Sequence, residues 1–481
     1  MDCDLLIENV SIFDGTGSEP YRGSVAVHAD RIAAVGENSC AGRMVIDGQG
    51  HALSPGFIDV HTHDDLYLLR SPQMLPKLSQ GVTTVITGNC GISAGPATLK
   101  NAFPDPMNLL GQGSEFRYRK FSDYVKALHL VRPAVNVAAL IGHTTLRNNH
   151  LDRLDRVADA HEIKEMKREL SEALDDGALG LSTGLAYLSA NSASAKEVID
   201  LAETLIGADA IYATHLRSES DAVLTAFDEA CSIGKEVGAP VVVSHLKCAG
   251  IDNWNRSVEL LAALDRARSQ QPIACDCYPY TASSSTLDLR QVDERVKITI
   301  TWSEPHPGMA GKNLDEIARH WSITQREAAL RLQPAGAVYH CIAENDMRTI
   351  LRHPATMIGS DGLPSDPLPH PRLWGTFPRV LGKYAREEKL FSLSEAIRKM
   401  TSLSAERFGF RDRGRIREGF CADLVLFDPD TVRDTATFSD PTRAAVGIEA
   451  VWVNGVLSYQ NGNAMENRAG RFLKRCSPGK N

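Results

Sequence analysis

Short apolar runs alternate with helix-periodic stretches through most of this chain, and its two ends follow another rhythm. Over residues 1–54, Leu5-Leu6-Ile7, Ser24-Val25-Ala26-Val27 and Arg31-Ile32-Ala33-Ala34-Val35 read as strands punctuated by Asp-Gly and Gly-Ser turns. From about Gly56, strand-like and helical segments alternate, the signature of βα units on a parallel sheet. Eight strands are predicted, at 57–60, 83–87, 136–142, 180–183, 211–214, 240–244, 273–277 and 356–360. Residues 195–206 and 221–237 carry apolar side chains at three-to-four spacing, and Gly238 is a natural C-terminal cap. Ser392 and Glu395 form a capping-box pair before a helix predicted over 392–407.

Between the seventh and eighth strands, residues 286–340 are too long for a plain connection, with helical character at 313–332. They read as an inserted subdomain with a lid role. Residues 415–460 return to the β style of the N-terminus, and 466–481 form a basic tail that is mobile or wraps the body. The division is therefore 1–55 plus 415–481 as a small β-domain, 56–414 as a catalytic barrel and 286–340 as the insertion.

A chain of 481 residues exceeds one ordinary core but suits a decorated α/β barrel. With 52 basic against 60 acidic residues, net −8, neither nucleic acid nor an anionic membrane is the expected partner. No apolar run approaches the ~20 residues of a membrane span. Met1-Asp2-Cys3-Asp4 is acidic and leads straight into a strand, unlike a signal peptide. Ten cysteines without secreted-domain spacing suit reduced thiols and a cytoplasmic location. Cys275-Asp276-Cys277 is CxC, not a CxxC redox motif, and reads as small buried strand residues.

The chemistry gathers at strand ends. His61 and His63 follow the first strand one residue apart, so they share a side and form half of a metal site, or a pair of surface histidines. The fifth strand delivers His215 and the sixth delivers His245, the right end of a barrel for catalysis. Cys90 lies in Gly88-Asn89-Cys90-Gly91, where glycines let a thiolate approach a metal closely; a buried or reactive cysteine fits as well. Asp361 follows the eighth strand, although an Asp before Gly is usually a turn residue.

The strings PGFIDVHTHDD (55–65), GVTTVITGNCGIS (81–93), IGHTTLR (141–147), GLSTGLAY (180–187), ATHLRSE (213–219), SHLK (244–247), DCYPY (276–280), GSDGLP (359–364) and HPRLWGTFPRV (370–380) resemble the amidohydrolase superfamily, and within it the D-aminoacylase (N-acyl-D-amino-acid deacylase) group. The resemblance covers nearly the whole chain. It implies an α/β fold: a (β/α)8 TIM barrel of the metal-dependent hydrolase type, with a small β-sandwich from both termini and an insertion after strand seven. It makes Cys90 a ligand, in place of the carboxylated Lys of binuclear relatives, which the 180–187 segment lacks. Cys90, His215 and His245 then hold one essential zinc. His61, His63 and Asp361 line a second, weaker position with Cys90 bridging.

In the resembled group Asp361 is the general acid/base. An N-acyl-D-amino acid carries an α-carboxylate, and the resemblance places its contacts on Lys247, Tyr278 and Arg372, with Tyr187 and Ser284 nearby. Arg290 suits an acidic side chain, favouring N-acyl-D-glutamate, or is a solvated arginine of the insertion. His143 either assists the oxyanion, orients a neighbouring group or packs in the core. A cyclic amidase of the dihydropyrimidinase kind would want the bridging Lys. A deaminase would want an acid where Ser218 stands, and a non-catalytic scaffold would have lost its ligands.

Overall fold

A computed structural model of the chain describes residues 2–36, 41–100 and 103–475. Met1 and residues 476–481 of the basic tail lie outside the described residues, as do 37–40 within the N-terminal β-unit.

All eight expected barrel strands are present: Phe57–Asp59, Val82–Thr87, Asn136–Ala139 resuming as Ile141–Gly142, Gly180–Gly184, Ile211–His215, Val241–Val243, Ile273–Cys277 and Thr356–Ile358. Neighbours run parallel. The ring closes between first and last through a Thr62–Gly362 bridge and the Asp361 N–H, which donates to His61 O at 2.8 Å. Side chains alternate as a pleat requires. Ile58, Val60, Ile86, Ile211, Ala213, Val242 and Met357 fill the interior, with Leu403 and Phe408 packed against them. Val85, Tyr212, Val241 and Val243 turn outward beneath the helices. Ile211 and Ala213 being inward, the same period sends His215 inward.

Strands from both ends join in one nine-stranded sheet, spliced where Ala52–Pro55 pairs with Asp2–Ile12 on one side and Leu424–Phe427 on the other. Alternation again sorts its faces: Leu5, Ile7, Val25, Val27, Leu424 and Trp452 share one buried cluster, Leu6 and Ala26 another. The tail wraps the barrel as far as it is described. Leu473 N–H donates to Val137 O at 2.7 Å, and Phe472 meets Phe121 edge-on at 5.8 Å.

The insertion carries helices where expected, Leu314–Trp321 and Gln325–Leu332, but it begins three residues earlier than expected, at Ser283: Ser283–Thr286, Ile298–Ser303 and Ala335–Tyr339 form an antiparallel sheet beside them. Its first strand, Ser-Ser-Ser-Thr, carries no apolar signal. The helix expected over 392–407 is two, Leu393–Met400 and Ser402–Arg407, broken at Thr401 with φ −132° and ψ −89°.

Candidate metal centre and active site

Three side chains of the site are mounted on left-handed backbone just past a strand end: Cys90 at φ 53°, His245 at φ 34° and Asp361 at φ 49°. Such residues are costly, about 1–3 kcal/mol each, and persist only where their surroundings over-determine them. Around Cys90 the glycines permit it. Gly88 has φ 75°, and a Cβ there would lie 2.0 Å from the Leu140 carbonyl oxygen. His61 and His63 flank Thr62, whose bridge to Gly362 keeps the segment extended and both rings on one side.

Cys90 Sγ lies 3.2 Å from His61 Nε2 and 3.3 Å from His245 Nε2. Asp361 Oδ1 lies 3.1 Å from His63 Nε2 and 3.5 Å from His61 Nε2. One donor atom each from His61, Cys90, His245 and Asp361 falls within 4.8 Å of the others. The His215 ring stands 4.5 Å from that of His245, edge-on, and its Nδ1 is buried without a partner. All six residues expected at the metal are therefore together. The tightest four-donor group takes His61 and Asp361, whereas His215 groups with His245 and Glu219.

These residues fit zinc. A buried thiol among imidazoles, with an orphaned ring nitrogen facing inward, is a donor set zinc favours. Burial pushes the Cys90 thiol up, but His61 and His245 pull it well below its ordinary value. Burial also pushes the Asp361 carboxyl up, and Arg372, His61, His245 and His63 together hold it well below the usual carboxylate range. Against burial, these anions raise His61 and bring His63 to about 9. Two adjacent buried anions call for positive charge, which a divalent ion supplies without those protons.

A cavity of about 510 Å³, within the range of small-ligand sites, opens over this cluster. Tyr187, Lys247, Tyr278, Ser284, Arg290 and Asp361 line it. Tyr278 Oη and Ser284 Oγ are buried without partners. Tyr187 Oη sits 3.3 Å from Ser285 Oγ. Arg372 is fully buried behind Asp361, with Nη1 2.8 Å from Asp361 Oδ2, Nη2 donating to Ser284 O at 3.0 Å, and its plane 4.5 Å over the Tyr278 ring. The Arg290 fork is held by Asp288 and by the Ala186 carbonyl, at 2.6 and 2.9 Å from Nη2.

His143 takes the buried alternative and not the oxyanion one. A helix, His143–His150, begins where the strand ends, and its Nε2 meets Glu197 Oε1 at 3.2 Å, beside the Arg147–Glu197 ion pair. It belongs to that buried network and does not line the cavity.

The sequence reading missed three supports. Lys77, wholly buried, bonds Asp59 Oδ2 at 2.8 Å and Ser360 Oγ at 3.0 Å, tying the first strand to the eighth. Asp276 accepts from the His245 N–H at 2.9 Å and lies 3.4 Å from His61 Nδ1. Glu219 contacts His215, His245 and Lys247. Only Glu219 carried a signal: an acid in the loop after a histidine-bearing strand.

The amidohydrolase family model matches residues 44–222 and 316–459. D-aminoacylase of Alcaligenes xylosoxydans xylosoxydans is 46% identical over 475 residues, 98% of each chain. A solved D-aminoacylase structure, described for one-metal activation and second-metal attenuation of a binuclear centre, superposes with TM-score 0.96 at 46% identity, covering 98% of this chain and 100% of that one. The crystal structure of N-acyl-D-glutamate deacylase from Bordetella bronchiseptica, complexed with zinc and a phosphonate mimic of the tetrahedral intermediate, superposes with TM-score 0.95 at 43% identity, covering 98% and 100%. Fold, donor cluster and near full-length similarity agree: the chain belongs to the amidohydrolase family.

Proposed function

We propose that this protein is a zinc-dependent deacylase that hydrolyses the amide bond of N-acyl-D-amino acids to a carboxylate and a free D-amino acid. The observation that carries this reading is the buried Cys90–His61–His245–Asp361 cluster at the floor of a small-molecule cavity. Cys90, His215 and His245 would hold the essential zinc, and His61, His63 and Asp361 a weaker second position. Bound there, zinc would supply a Lewis acid for the acyl carbonyl and would lower the pKa of water to near neutral.

The chain's own residues do the rest. Asp361, kept ionised by Arg372, takes the proton of the attacking water and returns it to the amide nitrogen, because an amine departs poorly as an anion. The free hydroxyls of Tyr278 and Ser284 and the Lys247 ammonium support a seat for the α-carboxylate. Arg372 Nε is also buried without a partner, but Arg372 does not line the cavity, and its part in seating the carboxylate runs through Asp361 and Ser284. Ser284 and Arg290 come from the insertion, which supports a lid role for it.

The finer choice, N-acyl-D-glutamate, rests on Arg290, which must exchange Asp288 for the substrate side chain. Selectivity between N-acetyl-D-glutamate and N-acetyl-D-methionine that is unchanged in Arg290→Ala removes it. The deacylase reading itself is tested with a panel of N-acetyl-D- and L-amino acids, measuring released amine. No amine from any D-substrate by zinc-loaded protein defeats it. Hydantoin ring opening is expected to be absent, since Gly180–Gly184 offers no lysine.

No helix among the described residues is long and apolar enough to cross a membrane. The free thiols of Cys90, Cys231, Cys248, Cys275, Cys277, Cys341 and Cys421 support the cytoplasmic placement we propose.

A further inference from the structure

We infer that Glu219 is a positioning residue that sets the tautomers of both zinc-facing imidazoles on strands five and six. This inference rests on the zinc reading above. The two rings present opposite nitrogens to one carboxylate. His245 Nδ1 lies 2.9 Å from Glu219 Oε1, leaving Nε2 toward Cys90. His215 Nε2 lies 3.5 Å from Glu219 Oε2, leaving Nδ1 buried and unpartnered. A neutral imidazole carries one N–H, so a carboxylate that holds the proton on one nitrogen puts the lone pair on the other. Outer carboxylates commonly orient metal-bound histidines in this way. Here one residue serves two rings.

Lys247 makes Glu219 indispensable. Its ammonium sits 2.8 Å from His245 Nδ1, and a Lys ammonium only donates. Glu219 Oε1 accepts from Lys247 and lies 2.9 Å from His245 Nδ1, close enough to hold that ring's proton against the ammonium. Without Glu219, Lys247 would donate to His245 Nδ1 and drive the ring proton onto Nε2, the nitrogen facing Cys90. The ligand would then be lost through the wrong tautomer, with its ring still in place.

The loop carrying Glu219 is built to hold it. Arg217 Nε and Nη2 each reach Glu229 at 2.8 Å on the following helix, and the Ala249 N–H donates to Glu219 O at 2.7 Å.

The test measures zinc affinity by chelator competition, and the visible spectrum of the cobalt-substituted protein, in full-length variants. Glu219→Ala is expected to bind zinc about 10–100-fold more weakly and to alter the cobalt spectrum, with Glu219→Gln, which keeps one acceptor, near the low end. The double variant Glu219→Ala/Lys247→Met is expected to regain most of the lost affinity, since the competing donor is gone. A general packing defect would not be rescued in this way. Folded Glu219→Ala that binds zinc within about twofold of the parent, or a double variant no better than the single one, overturns the inference. If Glu219→Ala does not fold, the isosteric glutamine variant decides, and unchanged affinity there overturns it. A parent protein that takes up no zinc refutes instead the metal reading on which this one stands.

Discussion

Arg372 Nη1 stands 2.8 Å from Asp361 Oδ2, and both side chains are buried. The guanidinium therefore does two things: it neutralises a carboxylate that burial would protonate, and it keeps that carboxylate basic only within limits. Removing one partner of such a pair costs about 3–5 kcal/mol. Arg372→Ala is expected to lose stability on that scale in chemical denaturation of the metal-free protein. Because Arg372 pulls the Asp361 pKa down, its loss moves the acid limb of kcat/KM to higher pH. An acid limb that stays in place argues against Asp361 as the base. Arg372→Lys restores charge, yet one ammonium cannot reproduce the fork that also reaches Ser284 O.

Cys90 brings the only sulfur to the donor cluster. Zinc-loaded parent protein is expected to carry about one zinc per chain through gel filtration and Cys90→Ser essentially none, since a neutral hydroxyl replaces a thiolate. Chelation is expected to abolish amide hydrolysis and added zinc to restore it. Full zinc retention in Cys90→Ser would place the metal elsewhere.

Gly88 tests the backbone that carries Cys90. An added Cβ meets the Leu140 carbonyl oxygen at 2.0 Å, and φ is 75°. Gly88→Ala is expected to cost more than about 1 kcal/mol and to weaken zinc binding together with stability. A variant that loses stability but keeps its zinc affinity would separate the turn from the site.

Asp366 joins the loop after strand eight to the insertion, accepting from Trp302 Nε1 at 3.1 Å while its other oxygen is buried without a partner. Burial pushes its carboxyl up to about 7. The folded state then binds the proton more tightly than the unfolded one, so this residue's contribution to stability falls as pH rises from roughly 4 to 7, and stays low above. Asp366→Asn is expected to flatten that fall and to melt higher than the parent at pH 8, by up to roughly 4 kcal/mol. Equal parent-to-variant differences at pH 5 and pH 8, read by calorimetry, would remove the effect.

What the sequence disclosed was what local period carries. Val241-Val242-Val243 announced a strand and therefore the end on which His245 sits, and Gly238, at φ 68°, capped the helix before it as expected. What it hid depends on distant partners. Lys77 lies between Pro76 and Leu78 with nothing local to say that Asp59 and Ser360 await it across the barrel. His143 does follow the third strand, which ends at Gly142 as expected, but it opens a helix there and its ring meets Glu197, a partner far along the chain. The polar strand Ser283–Thr286 exists because Ala335–Tyr339 offers it a ladder, not because its own residues favour one.

Cys90, His245 and Asp361 ride on backbone bends at strand ends, whereas Ser284 and Arg290 arrive on a separate antiparallel module. On the function proposed above, reactivity and selectivity would be inherited along different stretches of this polypeptide. Grafting residues 283–342 from a relative with another preference would retune which acylated amino acid is admitted and leave the sulfur and its imidazoles undisturbed.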